Sequence, residues 1–200
     1  MLNKGVIGSV LCTLGLSVNA LASDISLGEP SYGGNGCPIG TASATLSPDN
    51  KTLSVLFDQY IAEAGNSVGR GLDRKSCNLA VPVSIPQGIS VSILKVDYRG
   101  FVSIPRGANA RFGVEYFFAG ARGPNTVENF RGPVERDFTI TDNLAASAIV
   151  WSACGEDVNL RINSSMLAKS NAKGEDTLAI VDSTDVDAKL VYHLQWRTCR

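Results

Sequence analysis

Hydrophobic and polar residues alternate with a period of two along most of this sequence. The run CNLAVPVSI, for example, places Cys77, Leu79, Val81, Val83 and Ile85 on one side of an extended segment, as in a strand with one buried face. Similar runs, separated by turn residues, are TASATLS, TLSVLFDQYIAEA, ISVSILKVDYRGFVSI, ARFGVEYFFAG, RDFTI, ASAIVWSA, VNLRINSS, TLAIVDS and KLVYHLQW. Their spacing predicts an all-β protein, an antiparallel β-sandwich with Greek-key or jelly-roll-like connections.

The turn residues suggest which strands are neighbours. Residues 48–50 (PDN) predict a hairpin between TASATLS and TLSVLFDQY, because proline, aspartate and asparagine favour tight turns. Residues 105–109 (PRGAN) predict a second hairpin, in which Ile104 pairs with Ala110. Residues 119–133 are the least regular part of the chain, and we expect them to form a long surface loop.

The first strand of this second hairpin contains a change of parity. Ile89, Val91 and Ile93 alternate out of phase with Val96 and Tyr98. An extra residue in a strand switches the side on which the following residues lie. We therefore expect a β-bulge near residues 93–94.

Three charged residues share the polar side of the same predicted hairpin: Asp97, Arg99 and Glu115. In this register the two carboxylates lie diagonally on one face, near enough to act as the acid and the nucleophile of a glycoside hydrolase. Arg99 beside them fits an ordinary ion-paired sheet surface. The three residues are therefore a candidate polar patch, and the ion-paired surface is the favoured interpretation.

The N-terminus has the features of an export signal. Lys4 precedes an apolar run over residues 5–18, and Ala20 and Ala22 form the small-x-small pattern that signal peptidase cleaves. We expect a signal peptide over residues 1–22 and one mature domain over residues 23–200. The apolar run is shorter than the roughly 20 residues that a membrane-spanning helix needs. The prediction is a secreted protein, extracellular or periplasmic, without membrane insertion.

The cysteines support export. The sequence has five of them, and removal of the leader would take Cys12 with it. Cys37, Cys77, Cys154 and Cys199 remain, and an even number in an exported protein favours disulfides over a metal site or a redox pair. Four cysteines allow three pairings. We favour Cys37–Cys77 with Cys154–Cys199, which puts one bridge in each half of the chain.

The charge balance gives little information about a partner. Lysine and arginine number 18, aspartate and glutamate 19, and the formal net charge is −1. Such a balance gives no overall field of one sign, so nucleic acid is not an expected partner. A glycan or an extracellular protein is compatible with it.

His193 is the single histidine of the chain and lies in the run YHLQWRTC. Tyr192, Leu194 and Trp196 alternate onto the apolar side of this strand, which leaves His193 on the polar side. A Ser-His-Asp site would have to use His193, and the nucleophile-elbow pattern G-x-S-x-G is absent from the sequence. No residue is therefore assigned a catalytic role.

Asp182, Asp185 and Asp187 concentrate carboxylates in one predicted loop, with Glu175 and Asp176 nearby. Calcium takes six to eight oxygen ligands, so this loop is a candidate calcium site. The spacing lacks the glycine and the final glutamate of an EF-hand loop, and a solvated acidic turn is the favoured interpretation. No cofactor is expected.

Aromatic side chains are a further source of ligand contacts. Trp151 and Trp196 both alternate with apolar residues, which predicts that they lie in the core. Phe130 and Tyr32, in less regular segments, are better placed to stack on a sugar. The sequons NKT and NSS, at residues 50–52 and 163–165, match glycosylation acceptors.

Several stretches together resemble a family of secreted proteins. They are GNGCP at 34–38, KSCNL at 75–79, VDYRGF at 96–101, FRGP at 130–133, WSACG at 151–155, LRINSS at 160–165 and the terminal YHLQWRTC. These motifs and their order resemble those of the members of domain-of-unknown-function family 4360, which is known from fungi and bacteria. The resemblance implies an exported single domain with cysteines in these four places, and it transfers no catalytic residue. The Asp-Tyr-Arg-Gly run is its most recognisable element.

These observations give two functional hypotheses. The first is a secreted, disulfide-stabilised β-sandwich with a non-catalytic binding or structural role outside the cell. The alternative is a carbohydrate-active protein, either a lectin-like module or a glycoside hydrolase that uses Asp97 and Glu115.

Overall fold

The computed structural model of the chain describes residues 25–28, 30–48, 52–143, 151–181 and 190–199. The strands are β1 (Ser26–Leu27), β2 (Ser31–Gly33), β3 (Ala42–Leu46), β4 (Thr52–Phe57), β5 (Ile61–Ala64), β6 (Leu72–Ser84), β7 (Ile89–Ile104), β8 (Asn109–Phe118), β9 (Asn125–Arg131), β10 (Val134–Asn143), β11 (Val158–Lys169), β12 (Thr177–Val181) and β13 (Leu190–Thr198). The part of the chain that the structure describes holds no helix with the length and apolar character needed to cross a bilayer. The all-β prediction is confirmed.

The strands form two antiparallel sheets that pack as a sandwich. In the first sheet the order is β1-β6-β11-β8-β9, and β2 also pairs with β6. In the second sheet the order is β3-β4-β13-β7-β12-β5. β13 and β12 pair with successive stretches of β7, and β10 pairs with the opposite edge of β7. The consecutive long strands β6, β7 and β8 alternate between the sheets, so most strands have neighbours that are distant in sequence.

The core lies between the sheets and follows the alternation of the strands. On β6, the side chains of Cys77, Leu79, Val81 and Val83, with Ile85 just beyond the strand, are all at most 4 % exposed. These five residues were predicted to share one face, and their common burial confirms it. Facing side chains of β11 and β8 are buried in the same way.

Tyrosine side chains make two of the contacts between the sheets. The rings of Tyr98 on β7 and Phe112 on β8 meet across the core with their centroids 5.1 Å apart. Tyr60 precedes β5, and its hydroxyl donates a hydrogen bond to Ser164 Oγ on β11 at 3.0 Å. Burial raises the pKa of Tyr60 above its ordinary value, which keeps this hydroxyl a neutral donor inside the sandwich.

The predicted disulfides are both present. Cys37 is joined to Cys77 with a Cα–Cα distance of 5.3 Å, and Cys154 to Cys199 with one of 6.0 Å. The first bridge lies in the core, where Cys37 is 0 % and Cys77 is 1 % exposed. The second lies at the surface, because Cys154 is exposed and Cys199 half-buried.

Of the two predicted hairpins, one is confirmed and one is wrong. β3 pairs with β4 as expected. β7 and β8 do not pair, because the turn at residues 105–109 carries the chain from the second sheet to the first. The side that faces the core was predicted correctly for both strands. Alternation shows which side of a strand is buried, but it does not show whether the next strand lies beside it in the same sheet or opposite it across the core.

The predicted bulge is confirmed. In the pairing of β13 with β7, His193 lies opposite Lys95 and Leu194 opposite Ile93, which leaves Leu94 as the extra residue. This insertion accounts for the opposite parity of the buried residues Val91 and Val96 on either side of it.

The expectation of a long loop over residues 119–133 is wrong, because β9 occupies Asn125–Arg131 and pairs with β8. β9 is an edge strand of the first sheet, next to β8. Most of its side chains are exposed, so it lacks the apolar alternation of the inner strands. Of the predicted strand ASAIVWSA, residues 146–150 lie outside the described residues, and residues 151–153 do not form a strand.

Gly100, in the recognisable Asp-Tyr-Arg-Gly run, has a packing role. Phe138 of β10 lies opposite Gly100 and is 6 % exposed. A Cβ atom at residue 100 would lie 2.1 Å from the carbonyl oxygen of Ile180 and 2.6 Å from Cζ of Phe138. Only glycine leaves room for the ring and the neighbouring strand at this point.

We therefore expect Gly100→Ala to lower the free energy of unfolding by about 1–3 kcal/mol, since overpacked sites must shift side chains and backbone. Chemical denaturation measures the change. Gly113→Ala is the matched control, because a Cβ atom there meets nothing nearer than 3.8 Å. Similar losses in both variants would contradict the packing role.

Candidate functional site

The outer surface of the first sheet is formed by alternate residues of four long strands. On β11, residues 160, 162, 164, 166 and 168 are buried in the core, so the odd-numbered residues face outward. The same argument assigns the outward residues of β6, β8 and β9. Five exposed cations belong to this outward set, here called the basic face: Arg74, Arg111, Arg131, Arg161 and Lys169.

Strand register brings four of these cations into two successive rows across the sheet. In one row Arg74 and Arg111 lie on either side of Leu167. In the next row Lys169 and Arg131 flank a single asparagine. From ordinary strand geometry, the four Cα positions fall within a patch of roughly 15 Å by 7 Å.

Small and polar residues fill the middle of the basic face, and one of them, Glu115, is charged. The row next to Arg74 includes Ser165 and Gly113, which lie side by side. The row after it includes Asn78, Asn163 and Glu115. Arg74 Nη2 reaches Ser165 Oγ at 3.5 Å. The centre therefore carries hydroxyl and amide groups and the carboxylate of Glu115, with Arg161 farther along the sheet.

The five cations have no acidic partner among the described residues. The ion pairs found there are Arg70–Asp73, Lys75–Asp73 and Lys95–Asp97, and none involves the basic face. Glu115 is the one acidic residue among the outward residues of these four strands. Although the whole chain has a formal net charge of −1, this surface is strongly positive.

A groove opens at the end of the basic face that carries Arg131. It has a volume of about 360 Å³, and Asn109, Asn129 and Arg131 contribute to its lining. Side-chain amides and a guanidinium are suitable hydrogen-bond donors for carboxylate and hydroxyl oxygens. The groove adds depth to a surface that is otherwise flat.

The structure separates the predicted polar patch. Asp97 and Arg99 lie on β7 in the second sheet, and Glu115 lies on β8 in the first. All three alternate with core residues, so the two carboxylates face outward from opposite sides of the sandwich. The prediction that they share a face is wrong, because it depended on the β7–β8 hairpin. A glycosidase pair of Asp97 and Glu115 has no geometric support.

Asp97 is engaged in local surface contacts. Its carboxylate accepts a hydrogen bond from Thr141 Oγ1 at 2.6 Å and lies 2.9 Å from Lys95 Nζ. These contacts fit the ion-paired sheet surface that the sequence favoured.

The candidate calcium residues Asp182, Asp185 and Asp187 lie outside the described residues, so this site stays a hypothesis. Of the neighbouring carboxylates, Asp176 accepts a hydrogen bond from the backbone of Ser67 at 3.1 Å. Within the described ranges no cluster of three metal-ligating side chains was found.

His193 lies on β13 between Thr52 and Lys95, and the position of its side chain is outside what the structure describes. The strand predicted for this segment is present. The predicted catalytic irrelevance of His193 stays a prediction.

Two expectations for the aromatic residues are wrong. Trp196 is 39 % exposed, and Phe130 is only 5 % exposed. Phe130 contacts Phe138 with ring centroids 4.9 Å apart, because β9 turns it inward. The Tyr32 hydroxyl accepts a hydrogen bond from the backbone of Gly40 at 2.8 Å, and the side chain is half-buried.

The basic face was missed in the sequence because the total charge is balanced. A signal was present in each strand separately: Arg111 on β8, and Arg161 and Lys169 on β11, fall on the polar side of the alternation. The sequence does not reveal that β6, β11, β8 and β9 are neighbours, and the cluster exists only through that pairing.

Comparison with known proteins places the chain in a family. The domain of unknown function DUF4360 matches residues 23–199. An uncharacterized secreted protein of Arthroderma benhamiae is 32 % identical over 169 residues, which cover 84 % of this chain and 69 % of the relative.

Similarity to solved structures is low. TmCBM61 in complex with β-1,4-galactotriose is 8 % identical and has a TM-score of 0.32, with 85 % of this chain and 88 % of that one covered. The enzymatically active domain of tailspike protein 4 of bacteriophage CBA120 is 8 % identical with a TM-score of 0.24, and the match covers 86 % of this chain and 19 % of the tailspike. Neither likeness is close enough to suggest a ligand.

The family match also fits the compartment. The fungal relative is a secreted protein, and both disulfides need an oxidising environment to persist. The protein is therefore secreted, as the sequence predicted. Its match over residues 23–199 makes it a member of the DUF4360 family of unknown function.

Proposed function

We propose that this protein is a non-catalytic extracellular module that binds an acidic polysaccharide on its basic face. The observation that carries the proposal is the group of five exposed cations on one side of the sandwich, without an acidic partner among the described residues. Exposed cations in proteins are ordinarily interspersed with carboxylates. A surface with five cations and a single carboxylate, that of Glu115, is suited to a ligand that brings its own negative charges.

The shape of the basic face favours an extended polymer. Arg161 and Lys169 lie eight residues apart on β11, which corresponds to roughly 27 Å of strand. A monosaccharide could contact only one end of such a surface. A chain of linked uronates could reach both ends and place successive carboxylates beside separate cations.

The chemistry of the side chains also fits a sugar acid. The fork of an arginine guanidinium matches the two oxygens of a carboxylate. The serine and asparagine side chains in the centre can exchange hydrogen bonds with sugar hydroxyls. Gly113 adds no bulk between them, so a polymer could lie close to the sheet. Nucleic acid offers phosphates but is a poorer fit for an extracellular protein.

The test compares two triple variants that remove the same charge. Arg74→Gln, Arg111→Gln and Lys169→Gln together should weaken binding to polygalacturonate by about 10- to 100-fold, since each exposed ionic contact contributes up to about 1 kcal/mol. Arg122→Gln, Arg136→Gln and Lys173→Gln, at exposed positions outside the basic face, should change it by less than about threefold. Isothermal titration at several salt concentrations measures both, and circular dichroism verifies folding.

Salt and probe chemistry supply the remaining outcomes. Binding of the unmodified protein should weaken as salt increases, and the basic-face variant should show a shallower salt dependence. A neutral galactan should bind much more weakly than polygalacturonate. Equal losses in the two triple variants, equal affinity for the neutral galactan, or tighter binding to duplex DNA or to anionic lipid vesicles would each overturn the proposal.

A further inference from the structure

A second charged site lies at the surface disulfide, far from the basic face and on the other sheet. The guanidinium carbon of Arg197 on β13 lies 4.2 Å from the centroid of the Trp151 ring. Beside it is a cavity of about 560 Å³, lined by Ser90, Ser152, Arg197, Thr198 and the Cys154–Cys199 bridge. This volume is within the range of small-molecule sites, about 300–1,000 Å³.

The walls of the cavity are held by hydrogen bonds of the backbone and of two serine side chains. The amide of Ser152 donates to the carbonyl of Val91 at 2.9 Å, and the amide of Val91 donates to Ser152 Oγ, also at 2.9 Å. Ser90 Oγ donates to the carbonyl of Ser152 at 2.7 Å. The Cys154–Cys199 bridge then joins this segment to the end of β13. The cavity is built on a covalently closed frame.

Arg197 combines a fixed orientation with an unsatisfied charge. A guanidinium stacked on an indole ring keeps its plane, while the N–H groups at its edges still point away from the ring and can donate. Arg197 is exposed, and no carboxylate pairs with it within the described ranges. An arginine held in this way is prepared to take a carboxylate in two parallel hydrogen bonds.

We infer that this cavity binds the carboxylate of a single sugar acid, with Arg197 as the anion clamp and Trp151 as the residue that orients it. Ser90 and Ser152 also line the cavity, and the hydrogen bonds of their hydroxyls hold its wall in place. The site is separate from the basic face. Its volume of about 560 Å³ suits a single sugar acid and not the length of a polymer. It does not depend on the function proposed above.

The probe is D-glucuronate, with D-glucose as the uncharged molecule of nearly the same shape. We expect saturable binding of glucuronate in the millimolar range and none of glucose, measured by NMR titration of the folded protein. Arg197→Gln should weaken glucuronate binding by about tenfold or more, because a charged bidentate contact is lost. Arg197→Lys should also weaken it, since lysine keeps the charge but not the planar fork.

Arg136→Gln is the control for the loss of one positive charge, because Arg136 is exposed and belongs neither to this cavity nor to the basic face, and it should leave glucuronate binding unchanged. The inference is overturned if glucose binds as tightly as glucuronate, or if glucuronate does not saturate by roughly 10 mM. It is also overturned if Arg197→Lys binds glucuronate as tightly as the unmodified protein does, because a positive charge without the planar guanidinium would then be sufficient. A change in thermal stability of the Arg197 variants with unchanged binding would show a purely structural stack.

Discussion

Replacement of Cys37 and Cys77 by alanine is expected to lower the free energy of unfolding by about 4 kcal/mol or more. The bridge spans 40 residues, and closing a loop of this length restricts the unfolded chain by about 4 kcal/mol in the chain-entropy description. Both sulfur atoms lie in the core, where the two residues are 0 % and 1 % exposed. Their removal therefore also leaves a cavity, which adds to the loss. Denaturant unfolding measures the change.

The other disulfide provides the matched comparison. Cys154 and Cys199 are 45 residues apart, so the entropic contribution is nearly the same, but Cys154 is exposed. Its replacement should lower stability by about 1 kcal/mol less than loss of the buried bridge, and a mild reductant should open this accessible bridge first. A greater loss on removal of the surface bridge would contradict the role assigned to burial.

Phe112→Ala is the second substitution with a large expected effect, a loss of about 3–5 kcal/mol in the free energy of unfolding. The Phe112 ring is 0 % exposed and meets Tyr98 of the opposite sheet at 5.1 Å. Deleting it removes apolar burial and an aromatic contact that spans the core. Thermal and chemical unfolding followed by circular dichroism give the magnitude.

Phe117→Ala, on the same strand, is the control for this substitution. Phe117 is half-buried and alternates onto the outer side of β8, so its loss should reduce stability by only about 1 kcal/mol. Since the two residues differ by an odd number of positions, the comparison tests the facing of the whole strand. A greater loss at Phe117 than at Phe112 would mean that the register of β8 is shifted by one residue.

Local features of the fold were predictable because they depend on neighbouring residues. The burial of alternate residues in β6, the β3–β4 hairpin and the extra residue at Leu94 each follow from parity and turn chemistry over a few positions. The disulfide pairing also agreed with the structure, although four cysteines alone leave three possibilities.

Long-range features were not predictable from the same pattern. Asp97 and Glu115 both alternate away from the core, and the sequence does not distinguish two outward residues on one sheet from two on opposite sheets. β9 was missed for a different reason: an edge strand with exposed side chains does not need apolar alternation. To predict the basic face, one would need both the assignment of strands to sheets and the presence of the edge strand β9, since this face joins β9 to three strands from other parts of the chain.

The basic face is assembled from segments that begin at Leu72, Asn109, Asn125 and Val158. No fragment of the chain carries it, and detaching any one of these strands would scatter its charges. Occupancy of the surface is therefore linked thermodynamically to integrity of the entire sandwich. A bound polymer would lower the population of states in which an edge strand is detached, and would therefore protect the secreted protein from proteolysis.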